Sequence, residues 1–387
     1  MLENIKLSIF EDIINKDEIN SGMDTTINPQ QLCVFTKFDK DEIRFNNSSG
    51  LNELIIPLNS KKKSKNSGRS KKYKPIIGSC LTSGFDKYKH SILEEIYSLD
   101  DLFKSIKYLY DNKQLTKNDL KILTLRRHLQ KLINIPLNKQ PIKFNVIYWK
   151  KLIFFTYDWE ENEKELEFDQ KDSTQQLLHY SGFKFEQIIT NQDLRSTNFF
   201  SVSQHKINKI PVLYSAEIDC GIKKDDSNFE NYVELKTHSN YNPKTLNKFH
   251  KKLMSLYCQN KFISCNHSII GFRQDFKLCS IKKYTNYELI GILESNPIFL
   301  SDKCFINTKH IFTWYNIVMN WIAEKENEID KDELVVLKLS FDSETELMDS
   351  NLNFHKVNEK ESNKIFNKVI PPWFKEFIES KLCTNPS

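Results

Sequence analysis

Two short segments constrain this chain more than any other feature, because in each of them charged residues alternate with apolar ones. Residues 214–222 contain Glu217 and Asp219, and residues 232–237 contain Glu234 and Lys236. Both read as strands, and the polar stretch 223–228 is suited to turn between them. Side chains alternate across a strand, so Glu217 and Asp219 point to one face and Ile218 to the other. Glu234 and Lys236 likewise share a face opposite Val233 and Leu235. If the two strands pair, three carboxylates and an ammonium converge. Like charges at close range raise one another's pKa, and a divalent cation removes that cost.

Hard oxygen ligands on a rigid pair of strands suit Mg²⁺ or Mn²⁺, with the lysine placed to orient a water or a developing phosphoryl charge. E-x-D, fourteen residues, then E-x-K follows the logic of metal-dependent nucleases with a D…(D/E)-x-K core. An exposed hairpin face of mixed charge gives the same pattern, so this feature by itself leaves both readings open.

The rest of the chain narrows the classes. At 387 residues it is long enough for one large domain or two ordinary ones. Its hydrophobic and charged fractions, 39% and 28%, belong to a folded protein rather than a disordered one. No signal-peptide pattern and no apolar run of about 20 residues is present, so an intracellular, membrane-free protein is expected. The eight cysteines form no C-x-x-C pair and are expected to be reduced core residues. No Ser-His-Asp or Cys-His set stands out, and no G-x-x-x-x-G-K-[ST] motif occurs, which argues against acyl chemistry and P-loop NTP hydrolysis.

Positive charge is concentrated. Eight basic and no acidic residues lie between Lys61 and Lys74, and the formal charge of +5 falls to −3 once these eight are set aside. Residues 61–74 therefore read as an exposed basic loop: a solvated loop, a nuclear-import signal, or an RNA or partner contact.

Along the chain, residues 1–30 read as a peripheral start and 31–38 as a strand. Helices are expected over 91–111 and 117–134, a hairpin over 144–157, and a helix from near Gln175 that stops at Gly182, leaving a turn or strand to present Glu186. Strands are expected at 199–205, 211–222, 229–237, 267–273 and 333–341, and helices at 244–259, 309–326 and 371–382. Trp314, Ile317, Val318, Trp321 and Ile322 fit one helical face and are expected in the core. The expected fold class is α+β, with mixed β-sheets flanked by helices around a D…(D/E)-x-K nuclease-like core.

Three motifs in this order carry a family likeness: Gly182 to Glu186 (G-F-K-F-E), Glu217 to Asp219 (E-I-D) and Glu234 to Lys236 (E-L-K). A helix ending near Gln259 and an apolar strand closing in Gly271-Phe272-Arg273 follow. With residues 84–88 and Pro371-Pro372-Trp373-Phe374, the set resembles the DXO family of RNA 5′-end decapping and pyrophosphohydrolase enzymes. The likeness is strongest to its fungal nuclear members, which interact with the Rat 5′-to-3′ exoribonuclease.

The resemblance implies one catalytic domain over 1–387. It implies Mg²⁺ or Mn²⁺, with two ions during catalysis, held by Glu186, Glu217, Asp219, Glu234 and the Leu235 carbonyl. The five implied catalytic residues are Glu186, Glu217, Asp219, Glu234 and Lys236. Lys236 would position the water or scissile phosphate, and Arg126, Glu217, Lys236 and Gln259 would contact substrate. The implied activity is removal of pyrophosphate, incomplete caps or NAD-type caps from RNA 5′ ends, with 5′-to-3′ exonuclease activity as an extension. The implied partners are RNA 5′ ends and a nuclear exoribonuclease, in the nucleus or alternatively the cytoplasm. Two departures stand out: Arg127 replaces a glycine after Arg126, and Leu256-Tyr257-Cys258 lacks the usual tryptophan before Gln259. The alternative readings are a DNA nuclease sharing the E-x-D…E-x-K core and a non-catalytic subunit that stabilises an exoribonuclease.

Overall fold

The computed structural model describes residues 4–17, 27–38, 42–56, 76–138, 140–162, 165–190, 197–224, 226–302, 304–330, 333–342 and 347–382. The basic stretch 61–74 and Cys383 lie outside the described residues. In chain order the first strands are β1 (Asn4–Lys6), β2 (Gln30–Lys37), β3 (Ile43–Phe45), β4 (Ile122–Leu125), β5 (Ile142–Trp149) and β6 (Leu152–Tyr157). They are followed by β7 (Asn198–Ile207), β8 (Ile210–Ile218), β9 (Cys220–Gly221), β10 (Tyr232–Ser239), β11 (His267–Gln274) and β12 (Lys277–Thr285). The last are β13 (Ile298–Ser301), β14 (Cys304–Ile306), β15 (Val335–Asp342) and β16 (Asn351–Lys356). The helices are α1 (Ile9–Asp17), α2 (Leu93–Tyr97), α3 (Asp100–Asp111), α4 (Arg126–Ile133), α5 (Ile135–Asn138) and α6 (Ser173–Thr190). After them come α7 (Leu246–Lys261), α8 (Asn286–Ser295), α9 (Thr308–Glu324), α10 (Glu359–Val369) and α11 (Pro372–Phe377).

Ten strands form one sheet in the order β1-β16-β15-β5-β6-β4-β8-β7-β2-β3, and four form a second, β12-β11-β10-β9. Strand β4 runs parallel to both β6 and β8, and β10 runs parallel to β11 with α7 as the crossover. Mixed sheets flanked by helices are thus the architecture.

The large sheet is buried on both faces. Along β5, Phe144, Val146 and Tyr148 enter the core shared with α9, whereas Ile147 and Trp149 enter the core shared with α3, α10 and α11. A strand covered on both sides shows no polar alternation in its sequence. That is why residues 117–134 read as a helix but are not one. Lys117–Asp119 is a 3₁₀ turn, Ile122–Leu125 is a fully buried central strand, and only Arg126–Ile133 is helical.

Other expectations are corrected by local chemistry. The helix over 91–111 breaks at Ser98, whose backbone is extended and whose hydroxyl accepts from the Asp100 N–H at 3.1 Å, opening α3 anew. The helix expected to stop at Gly182 continues to Thr190, because Gly182 is not in the left-handed conformation that ends helices. The N-terminal region is not peripheral: Ile5, Leu7 and Phe10 are buried, with Phe10 stacked 5.7 Å from Trp314. Cys80 and Cys279 are exposed rather than core residues, whereas the other five described cysteines are buried. The expected hairpin holds, with Lys150 and Lys151 both at positive φ in its two-residue turn. Of the expected core residues, Trp314, Val318, Trp321 and Ile322 are buried, and Ile317 is partly buried against them.

Candidate active site

The carboxylates do not meet on a simple hairpin. Strand β8 belongs to the large sheet and ends at Ile218, while Cys220–Gly221 already pairs with Tyr232 and Val233 in the small sheet. Asp219 is the residue at which the chain passes from one sheet to the other. The site is therefore a junction of two sheets, beyond the carboxyl ends of the parallel strands β4 and β8, where open sheets generally bind ligands.

Each element delivers one or two groups. Strand β8 supplies Glu217, and the Asp219 carboxylate accepts from the Leu235 N–H at 2.7 Å. Strand β10 supplies Glu234 and Lys236, two residues apart on one face, and the ammonium bonds Glu234 directly with Asp219 3.9 Å away. Helix α7 supplies Gln259, whose amide N–H donates to Glu234 Oε1 at 2.5 Å. Helix α4 opens with Arg126, whose guanidinium donates to the Glu217 carbonyl at 2.7 Å and to Glu234 Oε2 at 3.3 Å. Helix α6 supplies Glu186, which faces Asp219, Lys236, Glu217 and Glu234 electrostatically.

Burial and mutual repulsion set the protonation. Glu186 is held well above the usual carboxyl range by burial and then by the Asp219 charge. Asp219 is pushed up to about 8 by burial and by Glu234, against the opposing pull of Lys236. Glu234 goes the other way: burial would raise it, but Lys236 and Arg126 together bring it down to about 2. For Lys236, burial is outweighed by Glu234 and Asp219, so its ammonium is held more firmly than usual.

As they stand, no three His, Cys, Asp or Glu side chains among the described residues are gathered tightly enough to hold an ion. Lys236 and Gln259 both occupy Glu234 instead. The donor chemistry nevertheless fits Mg²⁺ or Mn²⁺: the groups are all oxygen, and two of them are forced toward the neutral form by burial and by neighbouring carboxylates, a cost a divalent cation relieves.

Every site residue expected from sequence is brought to this junction. Three others were missed. Gln130, one turn after Arg126 on α4, donates to Gln259 Oε1 at 2.9 Å and so fixes which end of that amide faces Glu234. Arg127 lies 3.5 Å from Glu217 Oε2 and is far more exposed than Arg126, 44% against 7% for the side chains. Tyr88 borders the carboxylates, its phenol held up by burial and by Glu186 and Glu217. The readable signals were the four-residue spacing from Arg126 to Gln130, the place of Arg127 beside Arg126, and that of Tyr88 within residues 84–88. A cleft of about 310 Å³ lined by Arg126, Arg127, Gln130, Glu217, Lys236 and Gln259 gives access.

The profile of the RAI1-like PD-(D/E)XK nucleases matches residues 27–375. The chain belongs to this family. The Decapping nuclease RAI1 of Kluyveromyces lactis is 27% identical over 297 residues, covering 68% of this chain and 75% of that protein. The Candida albicans Rai1 structure in complex with pU5 and Mn²⁺ superimposes with a TM-score of 0.74 at 21% identity, over 98% of this chain and 100% of the other. The Scheffersomyces stipitis Rai1 structure with 3′-NADP⁺ and calcium gives 0.72 at 21% identity, over 92% and 95%.

Proposed function

We propose that this chain is a divalent-metal-dependent phosphohydrolase acting on RNA 5′ ends. It would remove pyrophosphate from 5′-triphosphate RNA, or incomplete and NAD-type caps, and would extend to 5′-to-3′ exonuclease cleavage. The observation that carries the reading is the convergence of Glu186, Glu217, Asp219, Glu234 and Lys236 at one junction in a member of a nuclease family. The names of the relatives support it: they are decapping nucleases, and one was crystallised with a 5′-phosphorylated oligouridine.

Glu186, Glu217, Asp219, Glu234 and the Leu235 carbonyl would hold the ion or ions. A bound Mg²⁺ or Mn²⁺ supplies Lewis-acid polarisation of the phosphate and an activated water. The chain's own part is positioning. Lys236, anchored to Glu234, presents an ammonium to a phosphate oxygen or to the attacking water. Gln259, its orientation fixed by Gln130, contacts the 5′ phosphate through its amide. Arg126 uses two N–H groups on Glu217 and Glu234, and its remaining donors face a phosphate entering beside them.

Pure protein is incubated with Mg²⁺ or Mn²⁺ and RNAs carrying triphosphate, unmethylated-cap, NAD or monophosphate 5′ ends, beside a Glu217→Ala, Asp219→Ala control. Release of a 5′ product, lost in the double variant, is expected. Cleavage of DNA instead would make it a DNA nuclease, and no cleavage by a folded protein would leave the non-catalytic, exoribonuclease-stabilising role. We further propose that the whole chain works as one catalytic unit with a 5′-to-3′ exoribonuclease partner, which rests on the family resemblance. Nuclear placement, with the cytoplasm as the alternative, is a proposal that rests on the basic stretch 61–74 and on the family resemblance. Loss of nuclear accumulation when its lysines become serines tests it.

A further inference from the structure

Helix α7 does more than carry Gln259. Lys248, Lys252, Ser255 and Gln259 follow one another at spacings of four, three and four residues, which places them on one helical face. The Gln259 end is pinned to the site by its bond to Glu234. The stripe therefore leads away from the reacting centre for about 16 Å, eleven residues at 1.5 Å each.

Helix α7 is the crossover between β10 and β11, and β10 adds to the same path. His238 lies two residues beyond Lys236 on the same face of β10. Arg273 is the register partner of Ser239 on β11 and so lies on the face opposite His238. His238 sits within electrostatic range of Lys252, Arg273 and Lys248, and Lys252 within range of both Lys248 and Lys236. Lys248 and Lys252 are exposed, and no carboxylate among the described residues pairs with either. Asp275 is the acid that faces Arg273, whose Nε is buried with no partner. Just beyond His238, Tyr241 stacks on Phe249 with ring centroids 4.2 Å apart, and Lys282 lies 5.6 Å over the Tyr241 ring. Uncompensated like charges repel one another, and a polyanion laid along them supplies the missing charge.

We propose that this stripe, from Gln259 through Lys252 to Lys248 with His238 alongside, is the track for the single-stranded RNA that follows the 5′ end, gripping its backbone phosphates without reading sequence. The proposal rests on the RNA 5′-end reading above and adds where the body of the substrate runs.

The test is Lys248→Ala, Lys252→Ala in the full chain. Binding of a 5′-monophosphorylated 20-nucleotide RNA is followed by fluorescence anisotropy in EDTA across salt concentrations, and cleavage is compared between that length and a dinucleotide. Losing two phosphate contacts lowers the log–log salt slope by about 1.4, which at 0.1 M salt is about 25-fold in affinity. We expect that weakening, a KM for the long RNA raised in proportion, unchanged kcat, and unchanged turnover of the dinucleotide. Lys248→Arg, Lys252→Arg should bind as the parent does. Parent-like affinity and salt slope in the alanine variant overturn the track. Failure of the parent to cleave either RNA overturns the 5′-end reading instead, and the binding titration still reports on the track.

Discussion

Replacing Gly271 by alanine should damage the site from a distance. Gly271 lies in β11, and an added Cβ would sit 2.5 Å from Cε2 of Phe185 and 2.8 Å from its Cδ2 and Cζ. Carbon atoms pack best at about 3.5–4 Å, so the ring must retreat by about 1 Å. It has nowhere to go: Phe185 is fully buried in a cluster with Ile189, Val233, Leu235 and Ile269. Overpacking of this kind costs about 1–3 kcal/mol. With unfolding entropy of about 2 cal/mol/K per residue, this lowers Tm by about 1–4 °C in a chain of 387 residues. The catalytic cost is larger, because Glu186 is the next residue on α6 and moves with the ring. A misplacement of about 1 Å in a catalytic constellation costs about 100-fold in rate. The assay pairs thermal melting with initial rates on a 5′-triphosphate RNA, and adds Phe185→Leu as a second-site change that makes room. A variant that melts and turns over like the parent refutes the packing argument. A lowered melt with an unchanged rate refutes the link from Phe185 to Glu186.

Arg126→Ala should cost about 3 kcal/mol in urea unfolding, because it breaks a buried ion pair with Glu234 and strips a donor from the Glu217 carbonyl. Arg126→Lys should recover only part, since one ammonium cannot span both acceptors. Two buried histidines should cost stability in mild acid, opposing the gain there from Asp219 and Glu186, whose raised carboxyls are protonated in the fold but not in the unfolded chain. His128 is held down to about 3 by burial, partly opposed by its bond to the Phe155 carbonyl, and His205 to about 3 by burial alone. Both stay neutral in the fold but gain a proton in the unfolded chain near 6.5, so the contribution is full above that pH and is lost as pH falls toward 3. Between pH 7.5 and 5.5 the two histidines account for about 3 kcal/mol, so in urea titrations at those two pH values His128→Gln, His205→Gln should gain about that much relative to the parent on acidification. EDTA should abolish cleavage and added Mg²⁺ or Mn²⁺ restore it. The same ions should raise Tm of the parent but not of Glu217→Ala, Asp219→Ala, as relief of carboxylate crowding requires.

Period-two alternation is a property of the backbone, so the face shared by Glu234 and Lys236, and the outward pairing of Glu217 with Asp219, were legible in the sequence. So were the apolar face of α9, the two-lysine turn between β5 and β6, and the helix carrying Gln259, each set by contacts within a few residues. Strand β4 was not legible, because burial on both faces erases the alternation that distinguishes a strand. Nor was the course of α6, since a glycine in a helix reads as a stop until the packing around it is known. The sequence by itself determined which residues are chemically able to form the site. The tertiary structure alone decided that residues 126, 130, 186, 217, 219, 234, 236 and 259 meet where two sheets abut, and that Arg126 braces the carboxylates. Those meetings depend on long-range closure of the chain, and no local period records it.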